Sequence, residues 1–363
     1  MGIATLFNPL NPTIFNSRLP LTLSDLGWND DLAAAFEARA GEFVRPGRVA
    51  VEFNQIFRVY LDGAEIDAIT AGRLKHRAEG RADLPAVGDW VAVRQRPGED
   101  RGVIVAVLSR RSAFKRRATG AATEAQIVAA NVDVVFVVMG LDADYNLRRL
   151  ERYLAMARES SAAPVVLLTK PDLCADVPSA VAAVVGLAGG LPVHVVRAPL
   201  GQGLDEVRAH LGRGRTGALL GSSGVGKSTI LNRLAGSAVQ RTRGVRVSDA
   251  RGRHTTTHRA LVILPGLGLV IDTPGMRELH LWEAAEGVGD TFDEIRALAG
   301  SCHFSDCRHR DEPRCAVKAA VAAGQVSRER LDSHLKLQDE LARLSKDQDE
   351  RGWSTTKPRT RRS

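Results

Sequence analysis

The sequence predicts a multidomain α/β chain: a small β-barrel, a doubly wound α/β domain, and a short helical module built around cysteine and histidine. Three observations predict it. Short apolar-alternating runs, at about 8–12-residue spacing, fill the stretch from Arg48 to Ser109. Beyond it, continuously apolar runs alternate with helical stretches, the rhythm of a parallel sheet covered on both faces. Finally, Cys302, Cys307, His309 and Cys315 fall close together near the C-terminal end. At roughly 150 residues per domain, 363 residues suit two or three domains, each with its own core. A hydrophobic content of 44% with only four cysteines excludes a disordered chain and a disulfide-stapled scaffold.

Residues 1–47 read as an N-terminal extension containing Pro9, Pro12 and Pro20, with a short Ala-rich helix from about Asp31 to Ala40. The opening MGIATLFNPLNP has no basic n-region, and Leu6 breaks the myristoylation pattern, so neither export signal nor lipid anchor is expected. Residues 48–110 hold five strand-like runs, VAVEF, FRVYL, IDAIT, GDWVAVR and GVIVAVL. Five strands in about 60 residues fit a closed barrel; the oligonucleotide-binding (OB) fold matches in size and strand number, and an SH3-like barrel is the alternative that periodicity does not separate. A hinge, SRRSAFKRRATG, follows.

Residues 120–295 form the α/β domain: VDVVFVVM, a helix over 146–160, PVVLLTK, a helix over 179–188, LPVHVVRA, a helix over 203–211, TGALLGSS, a helix over 227–235, then strands near 259–264 and 267–272. Val177 to Val196 lacks a charged residue, but Pro178, Gly186, Gly189, Gly190 and Pro192 make it a helix, a turn and a buried strand, not a membrane span. No membrane partner is expected, and the setting is cytoplasmic. Residues 296–346 carry the Cys/His cluster and helices near 313–323 and 327–346; residues 347–363 read as a basic disordered tail.

The strongest motif is Gly221-Ser222-Ser223-Gly224-Val225-Gly226-Lys227-Ser228, a full G-x-x-x-x-G-K-[ST] match between the strand TGALL and the helix STILNRLAG. Such a loop wraps phosphates with backbone N–H groups, its lysine reaches the terminal phosphates, and its serine ligates Mg²⁺. Asp272-Thr273-Pro274-Gly275 ends the strand GLGLVI. There an aspartate holds Mg²⁺ through water and a glycine N–H meets the γ-phosphate. Gly252-Arg253-His254-Thr255-Thr256-Thr257 supplies a threonine switch that a γ-phosphate can order, three adjacent threonines leaving the register open. Thr169-Lys170-Pro171-Asp172 ends the strand VVLL. In this pattern the carboxylate accepts from guanine N1–H and N2–H₂, which adenine lacks, and the lysine stem packs on the base.

The order is inverted relative to Ras-like GTPases, because the base motif precedes the phosphate loop by about 50 residues. Joining the old termini and cutting elsewhere on the surface produces that order. The join falls at Gly212-Arg213-Gly214-Arg215-Thr216-Gly217, and the segment after DTPG then leads directly into the Cys/His module. In that module the pattern C-x₄-C-x-H-x₅-C suits one tetrahedral Zn²⁺ in a closed structural site. His303 adjoins Cys302 and points away, and Cys174 reads as a small apolar core residue.

TKPD, GSSGVGKST, GRHTTT, DTPG and the Cys/His pattern, behind a barrel containing Val87-Gly88-Asp89-Trp90-Val91, resemble the circularly permuted GTPases of the RsgA/YjeQ family from about residue 48 to 345. The resemblance implies an OB-fold barrel, a permuted GTPase domain and a zinc domain. It also implies late maturation of the small ribosomal subunit, with GTP hydrolysed to GDP and phosphate at a rate that the subunit stimulates. Carried over residue by residue, Thr169 to Asp172, Gly221 to Ser228 with Thr229, Asp272 and Gly275 bind GTP, and Ser228 and Thr256 touch Mg²⁺. Cys302, Cys307, His309 and Cys315 hold zinc. Thr169 stands where the family has asparagine and loses the carboxamide's base contact and loop hydrogen bonds, which predicts modest guanine affinity. The usual Ser-Ala turn reads Arg197-Ala198, so only the Ala198 backbone contact to the guanine oxygen carries over.

Where many small GTPases orient the attacking water with glutamine after DxxG, this chain has Met276, so intrinsic hydrolysis is expected to be slow. His254, or the bound subunit, positions the water. A non-enzymatic RNA adaptor would not need the γ-phosphate sensors, and an ATP-dependent enzyme would not need Asp172. The formal charge of +8 is concentrated in three segments. Residues 110–117 hold Arg110, Arg111, Lys115, Arg116 and Arg117 with no acid; 241–259 hold six arginines against Asp249; the last 13 residues add five basic groups. The remainder of the chain is net acidic, so these segments are the expected phosphate contacts to ribosomal RNA. A monomer is expected.

Overall fold

The computed structural model describes residues 21–117, 125–236, 260–272 and 292–339, apart from 305, 329 and 337. After helix α1 (Asp30–Glu37), the barrel strands are β1 (Val44–Phe53), β2 (Ile56–Leu61), β3 (Ala64–Thr70), β4 (Trp90–Arg94) and β5 (Gly102–Val107), with α2 (Gly72–Arg77) between β3 and β4. β1–β2, β2–β3, β4–β5 and β1–β4 pair antiparallel, and the parallel β3–β5 pair closes the ring. That order, β1-β2-β3-β5-β4-β1, is the OB-fold topology and settles the barrel alternative. Alternation puts Val49, Phe57, Val59, Leu61, Val91, Val93 and Ile104 in one barrel core.

Residues 21–47 of the extension are tied to the barrel. β1 starts at Val44, ahead of the predicted boundary, and Leu26 is fully buried while Trp28 meets Trp90 edge-on at 4.9 Å. Buried Arg48 ties three segments by donating to the carbonyls of Leu26, Gly88 and Asn131. Burial pushes its guanidinium pKa down to about 10. At Gly88, φ is +92° and a Cβ would lie 2.1 Å from the Ala130 carbonyl oxygen, so only glycine lets the barrel approach the next strand. Asp25 pairs with Arg213 of the permutation join at 2.7 Å.

The expected hinge is in part a hairpin, β6 (Ala113–Arg117) with β7 (Ala125–Ala130). Its basic residues are also partly committed: Arg110 forks onto buried Asp89 through two 2.7 Å contacts, and Arg111 pairs with Asp133 at 3.2 Å.

The α/β domain runs β8 (Val134–Gly140), α3 (Leu147–Glu159), β9 (Ala163–Thr169), α4 (Val177–Ala188), β10 (Val193–Val196), α5 (Leu204–Ala209), β11 (Thr216–Leu220), α6 (Lys227–Leu234), β12 (Ala260–Leu264) and β13 (Gly268–Asp272). The strand order is β10-β9-β8-β11-β13-β12, parallel except for β12, and β12 pairs with barrel strand β1 at Val51↔Ala260. β8 shows why its whole run is apolar. Val134, Phe136 and Val138 enter the core shared with α5 and α6, whereas Val135, Val137 and Met139 enter the core shared with α3 and α4. The long uncharged stretch folds as α4, capped by the Asp176 carboxylate and ended by Gly189 at φ +60°, followed by β10. No helix among the described residues is long and apolar enough to cross a membrane.

The C-terminal module contains α7 (Asp293–Ala299), α8 (Ala316–Ala322) and helical residues 330–336. It is joined to the α/β domain by more than the covalent lead. Phe292, Ile295, Val317 and Leu331 share a core cluster with Leu150 and Leu154 of α3. Glu151 of α3, buried, receives Arg330 at 2.5 Å and the Ser333 hydroxyl, and Arg330 also pairs with Glu294.

Candidate functional site

The parallel strands β8, β9, β10, β11 and β13 end on one edge of the sheet, the edge at which doubly wound folds bind ligands. Between β11 and α6, residues 221–226 form the phosphate-type loop. Gly221 has φ +158°, and a Cβ there would lie 2.3 Å from the Val138 carbonyl oxygen, so a side chain would push the loop off β8. Gly226, at φ +109°, opens α6, whose first turn carries Lys227, half-buried Ser228 and half-buried Thr229. The Lys227 ammonium folds back over the loop and donates to the carbonyls of Gly221 and Ser222 at 2.7 and 2.6 Å. Ser223 and Gly224 are exposed at the loop tip, while Val225 is buried beneath it. Asp272 ends β13, which runs parallel to β11 in the register Ala218↔Ile271, and so reaches the same edge.

The other loops at this edge begin after β9. Thr169 is buried, and its hydroxyl donates to the Val225 carbonyl at 2.7 Å. This corrects the expectation that a threonine here forfeits the loop hydrogen bonds. The shorter side chain keeps one, and it joins the base-type loop directly to the phosphate-type loop. Lys170 takes the left-handed conformation at φ +56°, and Pro171 to Leu173 form a short 3₁₀ turn. The Lys170 ammonium pairs with Asp142 at 2.7 Å. Burial acts to raise the Asp142 pKa, but Lys170 and the Asp144 backbone N–H outweigh it and hold the carboxyl below its ordinary range. Asp172 lies 3.2 Å from the Arg197 Nε, both side chains being about two-fifths exposed. Ala198 is buried at the start of the turn after β10.

Sequence reasoning missed three residues that contact the motif loops. Asp142 and Asp144, in the loop GLDADYN after β8, brace both loops. Asp142 holds Lys170, while Asp144 accepts from the Ser222 hydroxyl and is itself paired with Arg149 at 2.6 Å. Arg197, treated only as a departure from the family pattern, touches Asp172. The available signal was position, since every loop leaving the C-terminal end of a parallel strand faces this edge. His254, Thr256 and Gly275 lie outside the described residues, as do Met276, the basic segment 241–259 and the tail.

The second site is the Cys/His cluster. The ligand atoms of Cys302, Cys307, His309 and Cys315 all lie within 4.8 Å of one another, and the cysteines are free thiols. Cys302 Sγ is 3.9 Å from Cys315 Sγ and 3.7 Å from His309 Nδ1, and Cys315 Sγ is 3.4 Å from His309 Nδ1. Burial depresses the His309 pKa, keeping the ring neutral and able to offer Nδ1. Burial acts to raise the Cys302 thiol, but the N–H groups of Val317 and Ala316 lower it overall, whereas burial pushes the Cys307 thiol up to about 11. The four groups could hold a metal ion. His303 is exposed and stacks edge-on against Phe304, away from the cluster, and Cys174 is half-buried against the core.

A protein-family model described as RsgA GTPase matches residues 107–282. The small ribosomal subunit biogenesis GTPase RsgA of Opitutus terrae is 50% identical over 331 residues, covering 89% of this chain and 90% of its own length. The protein of the same name from Syntrophotalea carbinolica is 43% identical, with 89% and 90% covered. Among solved structures, YjeQ from Thermotoga maritima is 27% identical with a TM-score of 0.59, covering 82% of this chain and 99% of its own. The structure of YloQ, described as a circularly permuted GTPase, has a TM-score of 0.58 at 23% identity, covering 87% and 97%.

Proposed function

Because the chain belongs to the RsgA GTPase family, and is thereby a GTP-hydrolysing enzyme, we propose that it acts in late maturation of the small ribosomal subunit, binding that subunit and releasing phosphate from GTP in response to it. The observation that carries the nucleotide reading is the hydrogen bond from Thr169 to Val225, which ties the base loop to the phosphate loop. In this reading Asp172 accepts from guanine N1–H and N2–H₂, and the Ala198 N–H donates to the guanine oxygen. The N–H groups of residues 221–229 wrap the phosphates, and Lys227 leaves the Gly221 and Ser222 carbonyls for the terminal phosphates. Ser228, Thr256 and, through water, Asp272 would hold Mg²⁺, which neutralises charge on the β- and γ-phosphates when bound. Gly275 offers its N–H to the γ-phosphate. With Met276 after DTPG, water positioning falls to His254 or to the subunit, and unstimulated turnover is slow.

The metal proposed for the Cys/His cluster is one structural zinc ion. A tetrahedral Zn²⁺ with thiolate bonds of about 2.3 Å has S···S edges of about 3.8 Å, close to the 3.9 Å between Cys302 and Cys315. With all four positions filled by protein, the site braces the module and leaves no place for a reacting water. Elemental analysis of the purified chain is expected to give one zinc per molecule, and Cys302→Ser to lose it.

The partner is the small subunit and its RNA, met by a monomer in the cytoplasm. The segment 241–259 and the tail are the candidate phosphate contacts; Arg110 and Arg111 are paired with Asp89 and Asp133. Cosedimentation with purified small subunits tests this. Binding that is promoted by a non-hydrolysable GTP analogue over GDP, and that weakens as salt rises, is expected. Indifference to nucleotide and salt would overturn it.

A further inference from the structure

Resting on the reading of Asp172 as the guanine-recognising carboxylate, we propose that Arg197 is a built-in competitor for the base, which lowers guanine-nucleotide affinity and speeds release of GDP. The juxtaposition is fixed by the sheet. β9 and β10 are parallel neighbours with Thr169 opposite Val196, so the chain leaves both strands side by side, placing Arg197 next to the turn that carries Asp172. Arg197 is anchored by its backbone. Its N–H donates to the Gln202 carbonyl at 3.0 Å, and its carbonyl accepts from Leu200 at 3.0 Å, so its side chain, not its main chain, is free to choose a partner. That side chain sits with Nε 3.2 Å from Asp172 Oδ1.

The chemistry explains why this pairing matters. The N1–H and N2–H₂ edge of guanine is a planar pair of donors on an amidine-like carbon, and the edge of a guanidinium offers the same pair with a full positive charge. Arg197 therefore carries, beside Asp172, an intramolecular copy of the edge that Asp172 would read, and its Nε already lies against the carboxylate at 3.2 Å. Guanine enters only as Arg197 swings away, and after hydrolysis Arg197 is at hand to retake the carboxylate as GDP leaves. The side chains are 40% and 41% exposed, so the pair is weak enough to exchange and is screened by salt. A serine here would leave Asp172 unpaired before the nucleotide arrives.

The test is GDP titration by calorimetry on the full chain at low salt. Arg197→Ser is expected to tighten GDP by about two- to fivefold, the range open to an exposed ion pair, and the difference from wild type is expected to shrink at high salt. Stopped-flow release of GDP is expected to slow in Arg197→Ser, and an unchanged release rate would overturn the claim that Arg197 speeds departure. The control is Asp172→Asn, whose amide suits the C2 carbonyl of xanthine; this variant is expected to prefer xanthosine diphosphate, and there Arg197→Ser is expected to change nothing. If GDP binding is unchanged or weaker in Arg197→Ser while Asp172→Asn still takes xanthosine diphosphate, the competition is refuted and the base reading stands. An equal gain for xanthosine diphosphate in the double variant also refutes competition through Asp172. If Asp172→Asn shows no preference for xanthosine diphosphate, the base reading beneath it fails.

Discussion

The two halves of the proposed nucleotide site are built on different principles. The phosphate half is main chain: glycines at 221, 224 and 226 with positive φ, a helix N-terminus, and a lysine folded onto its own loop. The base half is side chain: Asp172 at a turn, Lys170 held by Asp142, and Arg197 alongside. In the proposed reading, backbone geometry recognises what all nucleoside triphosphates share, whereas side chains at the turn choose among bases and can be retuned one residue at a time. Thr169 belongs to the base motif by sequence but to the phosphate half by contact, since its hydroxyl holds the Val225 carbonyl.

The comparison can be broken most severely at Lys227. Lys227→Ala is expected to reduce single-turnover phosphate release by about 10²-fold or more, as loss of a charge-stabilising donor does, with base preference intact. Next in size, Asp172→Asn is expected to weaken GDP by about 10- to 100-fold, the loss of hydrogen bonds to a charged acceptor, without weakening xanthosine diphosphate. A loss of affinity for both bases alike would erase the distinction between the halves.

Thr169→Val, which keeps the shape and removes the hydroxyl, is expected to weaken GTP by about fivefold, one net hydrogen bond of about 1 kcal/mol. Because it acts through the phosphate loop, the ratio of GTP to ATP affinity should stay constant; a change confined to GTP would return Thr169 to the base half. The smallest effect is Asp142→Asn, which releases Lys170. A fall in GTP affinity of about two- to fivefold at low salt is expected, fading as salt screens the wild-type pair.

How much of this was legible depends on the distance over which each contact acts. The barrel strands, β8 and the phosphate loop were readable because alternation, continuous apolarity and glycine spacing are local signals. The hairpin β6–β7 was read as a hinge because AFKRR is basic and short, and only its pairing with AQIVAA makes it a strand. Arg110 looked like a free RNA contact until the fold brought Asp89 against it. Glu151, in the helix predicted over 146–160, is buried against Arg330 and Ser333, about half the chain away, and nothing local announces that contact. The bond from Thr169 to Val225 and the pair of Asp172 with Arg197 follow from strand register, which no single segment encodes.

The most direct test of the central claim is phosphate release from GTP and from ATP, each with and without purified small ribosomal subunits. Slow release from GTP, raised severalfold or more by the subunits, with ATP inert under both conditions, is the predicted result. Release from GTP that the subunits leave unchanged would contradict the ribosomal role, and preference for ATP would contradict the base half of the pocket.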